Sequence, residues 1–139
     1  MLSNFIFVDL RSKNFSSFCF HYDDTETLPE NTTILASNKK SKIQAISFTN
    51  KNSKVWAVQY HPEFDPEWMS GLMRQREKIL LDEGIYNNQK EFESYKNYFS
   101  NIERLKGQKI PLNISDNLIN RKMHTLELSN WLNYLKNEI

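Results

Sequence analysis

The sequence predicts an α/β protein in which short, mostly antiparallel or mixed strands come first and about three helices follow. Three observations carry this expectation. Up to Tyr60 the apolar residues fall in short runs rich in β-branched and aromatic side chains, separated by polar turn residues. From Asp65 onward the apolar spacing becomes three and four residues, the repeat of one helix face. Asp65 with Pro66 and Glu67, a helix-start signal, marks the change from one pattern to the other.

In chain order, Phe5-Ile6-Phe7-Val8 is a short apolar run expected to be a strand, followed by the polar turn Arg11-Ser12-Lys13-Asn14. Residues 15–21 read as a second strand. Phe18 and Phe20 would face one side of it and Cys19 the other, because strand side chains alternate. Leu28-Pro29-Glu30-Asn31 reads as a turn, with proline at its first central position. Residues 33–36 and 43–48 are two β-rich runs around a polar segment at 37–42, and Asn50-Lys51-Asn52-Ser53 turns the chain into a further strand at 55–60. The result is a meander of short strands. The last of them, Val55-Trp56-Ala57-Val58-Gln59-Tyr60, reads as buried and stops abruptly at His61-Pro62-Glu63.

Asp65 is suited to cap a helix, with Pro66 at its first position and Glu67 in its first turn. Trp68, Met69, Leu72, Met73, Ile79 and Leu80 recur at helical spacing and are expected in the core, while Arg74, Arg76, Glu77 and Lys78 take the wet face. Gly84 closes the helix. A second helix is expected over 89–105, with Phe92, Tyr95, Tyr98, Phe99 and Ile102 along one side. Gly107 and Pro111 mark a connection. Ser115-Asp116 then starts a final helical stretch whose apolar stripe runs through Leu118, Ile119, Met123, Leu126, Trp131, Leu132, Tyr134 and Leu135, with His124 beside it as a surface or packing residue.

At 139 residues the chain is of single-domain size. Lysine plus arginine number 18 against 17 aspartate plus glutamate, a balance that argues against a nucleic-acid or other polyanionic partner. One cysteine, Cys19, allows no internal disulfide framework and fits a reducing compartment. No apolar run approaches a membrane span, and the acidic Asp9 and the absence of a basic start argue against a secretory signal, so a soluble cytoplasmic protein is expected. No cofactor-binding motif is present.

The chemistry concentrates at the end of the last strand. Pro62 fixes its own φ and biases His61 toward extended geometry, which holds His61 and Glu63 at a defined angle. An imidazole there can take and return a proton, and a nearby carboxylate can fix its tautomer and orientation. Covalent chemistry would need a nucleophile as well. On the residues alone, the pair reads as structural or as catalytic.

Two ordered blocks favour the second reading. Val58-Gln59-Tyr60-His61-Pro62-Glu63 resembles the G-V-Q-F-H-P-E signature of class I glutamine amidotransferases. Upstream, Phe18-Cys19-Phe20-His21-Tyr22-Asp23, Leu28-Pro29-Glu30-Asn31 and Ile34-Leu35-Ala36-Ser37 resemble that family's W-x-x-H-x-D-x-V-x-x-L-P-x-G-x-x-x-L-A-S block. Residues 64–84 and 121–132 look like the tails of stand-alone amidotransferases similar to the glutaminase domain of GMP synthase. The resemblance implies the C-terminal half of a flavodoxin-like amidotransferase domain, one partial domain over 1–139. It implies a Cys-His-Glu triad that hydrolyses the glutamine side-chain amide and passes on ammonia, with His61 as general base and Glu63 as its orienter. His21 and Asp23 would either help wall the glutamine pocket or serve as hydrogen-bonded loop structure. Tyr22 stands where the family commonly has glycine.

The family's nucleophile sits in a Gly-x-Cys-x-Gly elbow, whose strained turn needs small neighbours. No such elbow exists in these 139 residues. Cys19 aligns with the strand before the His-x-Asp block and is expected as a small buried hydrophobe. The chain is therefore expected to be inactive alone, and to bind glutamine only when completed by an N-terminal half. The alternative is a non-catalytic domain that docks a protein partner or a second copy through an exposed sheet face. A third reading, a metal hydrolase on His21, His61 and Glu63 or Asp23, has suitable ligand types but no dense ligand spacing.

Overall fold

The computed structural model describes residues 14–105 and 115–138. The expected strand at 5–8, most of the turn after it and the connection at Gly107 and Pro111 lie outside the described residues. In chain order the elements are β1 (Thr33–Ala36), β2 (Ala45–Asn50), β3 (Ser53–Val58), α1 (Pro66–Asp82), α2 (Gln89–Ser100), α3 (Ile102–Leu105), α4 (Asp116–Ile119), α5 (Arg121–His124) and α6 (Leu126–Glu138). This is the expected α/β order. Two compact units result: one holds the chain through Glu63 together with residues from Thr125, the other is Phe64–His124.

In the first unit the three strands form an antiparallel sheet in the order β1-β2-β3. The turn before β1 forms as expected: Thr32 Oγ1 donates to the Pro29 carbonyl at 2.6 Å, and Asn31 takes φ 58°. Asparagine tolerates this left-handed backbone better than most residues, and it stands where the resembling block has glycine. Leu35 is an extra residue in β1, since Ile34 faces Ile46 while Ala36 faces Ala45. At 37–42, Asn38 Oδ1 accepts the backbone N–H groups of Lys40 and Ser41 and ties off the loop.

The β2–β3 hairpin is tighter than expected. Asn50 pairs with Ser53 across a two-residue loop in which Lys51 has φ 53°. The ladder therefore begins at Ser53 and ends at Val58, leaving Gln59 and Tyr60 beyond it. Expected as buried, β3 is instead half-exposed, because it is an edge strand among the described residues. Residues 15–21 likewise do not form the expected continuous strand. They contribute a single antiparallel bridge in which the His61 N–H donates to the Phe18 carbonyl at 2.8 Å.

Around buried Ala45 and Tyr60 pack Phe15, Leu35, Ala36, Trp56 and Val58, with the Phe15 ring 5.6 Å from Tyr60 at a steep 68°. The last helix belongs to this unit. Tyr60 donates its hydroxyl to Glu127 Oε1 at 2.9 Å, and Lys54 bonds Tyr134 while lying 5.0 Å over its ring.

The second unit is built on α1 and α2. Asp65 caps α1 by accepting the Trp68 N–H at 2.7 Å, with Pro66 at the first position. Its end is a double-bonded cap: Gly84 N–H reaches Leu81 O and Ile85 N–H reaches Leu80 O, both at 3.0 Å, with Gly84 at φ 68°. Asn88 caps α2, and Glu91 reaches back to the Asn87 N–H at 2.7 Å. Met69, Ser70, Met73 and Leu80 are the buried face of α1, and Phe92, Tyr98 and Phe99 that of α2. Ser70 Oγ donates to the Lys96 carbonyl at 3.1 Å, a contact that its small size permits.

Three helical expectations need correction. Trp68 is not core: it is 55% exposed and stacks on Phe64 at 4.2 Å, because it lies beside the Met69-Met73-Leu80 face rather than on it. The helix expected over 89–105 divides at Asn101, whose backbone leaves helical geometry at φ −124° and whose side chain bonds back to the Asn97 carbonyl. The final stretch divides into α4, α5 and α6. Asn120 Oδ1 caps α5 by accepting the Lys122 N–H at 3.0 Å, so the apolar stripe is not continuous, and Trp131, Leu132 and Leu135 are exposed. His124 is buried, with Nδ1 3.4 Å from the Leu118 carbonyl, which is a packing role. Among the described residues no helix is long and apolar enough to cross a membrane.

Candidate functional site

The strand β3 runs out at Val58, and the residues after it are held by other means. The bridge to Phe18 pins the His61 backbone, and Pro62 is fully buried. The next turn brings the Glu63 carboxylate back to the imidazole, with His61 Nδ1 and Glu63 Oε1 2.8 Å apart. A carboxylate only accepts, so this contact places the proton on Nδ1 and the lone pair on Nε2 in the neutral ring. The side chains are 31% and 53% exposed, so both groups of the pair reach solvent. Such a pair has the geometry required of a base and its orienter.

The other two residues singled out in the sequence lie on the neighbouring loop. His21 Nδ1 is 3.0 Å from the backbone carbonyl of Asp23, not from its carboxylate, which is exposed. The same carbonyl accepts from Gln59 Nε2, two residues before His61. On its other side the His21 ring meets Gln44, with Nε2 to Nε2 at 3.2 Å. Gln44 is 5% exposed and its backbone is tied on both sides: its N–H donates to Ala36 O at 2.8 Å and its carbonyl accepts the Gln59 N–H at 2.9 Å. The two glutamines thus fasten the loop to the sheet just before the His-Pro-Glu turn.

Neither glutamine was singled out by sequence reasoning. Gln59 carried a signal, being the Q of the V-Q-F-H-P-E match. Gln44 carried none, since a buried amide within a β-rich run looks the same in sequence as an exposed one.

Cys19 also departs from expectation. It is exposed rather than buried, because it points away from the side on which Phe18 packs, and its Sγ contacts Gln44 Oε1 at 3.6 Å. The thiol is nonetheless partly covered. That burial is the main influence and raises its pKa; the Gln44 hydrogen bond offsets part of this and the Asp24 charge adds to it. The residue lines an open cavity of about 630 Å³ with Ser17, Leu35, Ala36, Gln44 and Tyr60. It sits on no strand-to-helix turn. Among the described residues no three His, Cys, Asp or Glu side chains cluster as metal ligands would.

Comparison with known proteins points to one family. The family model of class-I glutamine amidotransferases matches residues 8–79, just over half of the chain and all of the residues discussed around His61. A γ-glutamyl-L-1-hydroxyisopropylamide hydrolase from Pseudomonas sp is 29% identical over 133 residues, covering 90% of this chain. The chain spans 43% of that relative's length. No solved structure gives a significant match.

Proposed function

Because this chain belongs to the class-I glutamine amidotransferase family, we propose that it carries the proton-transfer half of a γ-glutamyl amide hydrolase site, with His61 as general base and Glu63 as its orienter. The 2.8 Å contact between His61 Nδ1 and Glu63 Oε1 is the observation that supports this reading most. The nucleophilic thiol would come from outside these 139 residues.

In that reaction His61 Nε2 takes the proton of the incoming thiol, and the thiolate attacks the γ-carbonyl carbon of the substrate. The tetrahedral intermediate collapses as His61 returns the proton to the leaving nitrogen, giving a γ-glutamyl thioester and free ammonia or amine. Water, deprotonated by the same imidazole, then displaces the thiol and releases glutamate. Glutamine is the simplest substrate. The Pseudomonas relative's name points to γ-glutamyl amides with a larger amine, and both share the acyl group that the thiol would hold.

Alone, the chain lacks the thiol and should not turn over, since losing one member of a cooperating triad removes most of the acceleration. The test mixes the chain with a polypeptide carrying a Gly-x-Cys-x-Gly amidotransferase half and follows glutamate release. Turnover that disappears with His61→Asn supports the reading; turnover indifferent to His61→Asn overturns it.

A second reading, a docking module without catalysis, draws on the exposed Trp131, Leu132 and Leu135 of α6. Gel filtration separates the two: a clean monomer under all conditions counts against docking to a second copy.

A further inference from the structure

Donors and acceptors around His21 can be assigned in sequence from one fixed point. The Asp23 carbonyl can only accept, so His21 Nδ1, 3.0 Å away, must carry a proton. In the neutral ring Nε2 is then an acceptor. The group facing it at 3.2 Å is the Gln44 side-chain amide, which must therefore present its NH₂. With its nitrogen committed to His21, Gln44 turns Oε1 toward Cys19, whose S–H is the donor at 3.6 Å. Every donor meets an acceptor along this line, and its middle member is 5% exposed.

We infer that Gln44 is a positioning residue that holds His21 in the Nδ1–H tautomer and, through it, fixes the loop beside the His61 strand end. Both ring nitrogens are committed to protein partners, so His21 acts as a strut between the sheet and the loop and neither binds substrate through a nitrogen nor moves a proton. A reversed Gln44 amide would set two acceptors, its Oε1 and His21 Nε2, against each other if His21 kept its present tautomer, so the amide and the ring turn together. Gln59, bonded to the same Asp23 carbonyl, braces the loop from the neighbouring strand end. The functional consequence rests on the proposed role of His61, but the tautomer does not.

The test is therefore spectroscopic and independent of turnover. Two-bond proton–nitrogen correlation spectra of the ¹⁵N-labelled chain, at a pH where His21 is neutral, identify which ring nitrogen carries the proton. The inference expects Nδ1–H in the wild type. Gln44→Leu should shift the Nε2 resonance by removing its donor, and Gln44→Glu, which presents only acceptors beside a ring whose Nδ1 proton the Asp23 carbonyl keeps, should add a second proton at Nε2. Cys19→Ala, at the end of the line, should leave the tautomer unchanged. A wild-type His21 protonated at Nε2, or a folded Gln44→Glu chain with the wild-type pattern, overturns the inference. The wild-type measurement stands even where a variant fails to fold, and a failure of the hydrolase reading leaves it untouched.

Discussion

Tyr60 donates its hydroxyl proton to Glu127 Oε1 at 2.9 Å, across 67 residues of sequence. Both groups are buried, and the residue after Tyr60 is His61. The signature that this stretch resembles has phenylalanine at this place, so the hydroxyl is an addition that the last helix answers. Leaving a buried hydroxyl without its acceptor costs about 1–3 kcal/mol. Glu127→Leu should lower unfolding stability by that order, while Glu127→Gln, which keeps an acceptor, should cost clearly less. Denaturant unfolding of both variants checks this, and a double-mutant cycle with Tyr60→Phe isolates the pair.

The two described glycines should respond in opposite directions. Gly71 lies inside α1, where a Cβ would meet only Arg74 Nη2 at an ordinary 3.7 Å. Gly71→Ala should therefore stabilise by roughly 0.5–1 kcal/mol through helix propensity. Gly84 has open space around it but a φ of +68°. Gly84→Ala should destabilise by about 1–2 kcal/mol from backbone strain alone. Thermal melts of the two variants, shifted the same way, would contradict the assignment.

Tyr86 gives a pH dependence with a definite sign. Burial, reinforced by Tyr95 and Glu91, pushes its hydroxyl up to about 12. The native state thus keeps its proton between the ordinary tyrosine value near 10 and about 12, where the unfolded chain releases it. Fewer protons bound in the unfolded state means that stability falls as pH rises through that window and is unaffected by Tyr86 below it. Unfolding midpoints followed from about pH 9 to about pH 12 should decline more steeply in the wild type than in Tyr86→Phe.

The legible parts of this molecule were those governed by local rules. Residues 33–36, the Asp65 cap with Pro66, the Leu28-Pro29-Glu30-Asn31 turn and the joining of His61 to Glu63 depend on neighbours within a few residues, and the sequence displays those neighbours. Trp68, Cys19 and β3 were misplaced because burial depends on what covers a side chain, and spacing alone does not say which of two adjacent helix positions faces the partner. The breaks at Asn101 and Asn120 arise where asparagine side chains satisfy backbone groups in place of the helix, a competition that a count of apolar residues ignores. Gln44 was invisible for a related reason: its importance lies in two side chains that reach it from 23 and 25 residues away.

If Glu63 fixes the tautomer of His61, its loss should be felt in rate rather than in binding. With the thiol-bearing half supplied, Glu63→Gln should reduce kcat by about 10²–10⁴, the range of general-base catalysis, with little change in KM. Steady-state kinetics on glutamine tests it, and a rise in KM with kcat intact would recast Glu63 as a binding group.

The most direct measurement is glutamate release from glutamine by the purified 139-residue chain alone, wild type beside Cys19→Ala. The account predicts background rates from both, because the proposed reading draws the nucleophilic thiol from outside these residues. Sustained turnover by the wild type that vanishes in Cys19→Ala would contradict it, for the nucleophile would then reside in the chain itself.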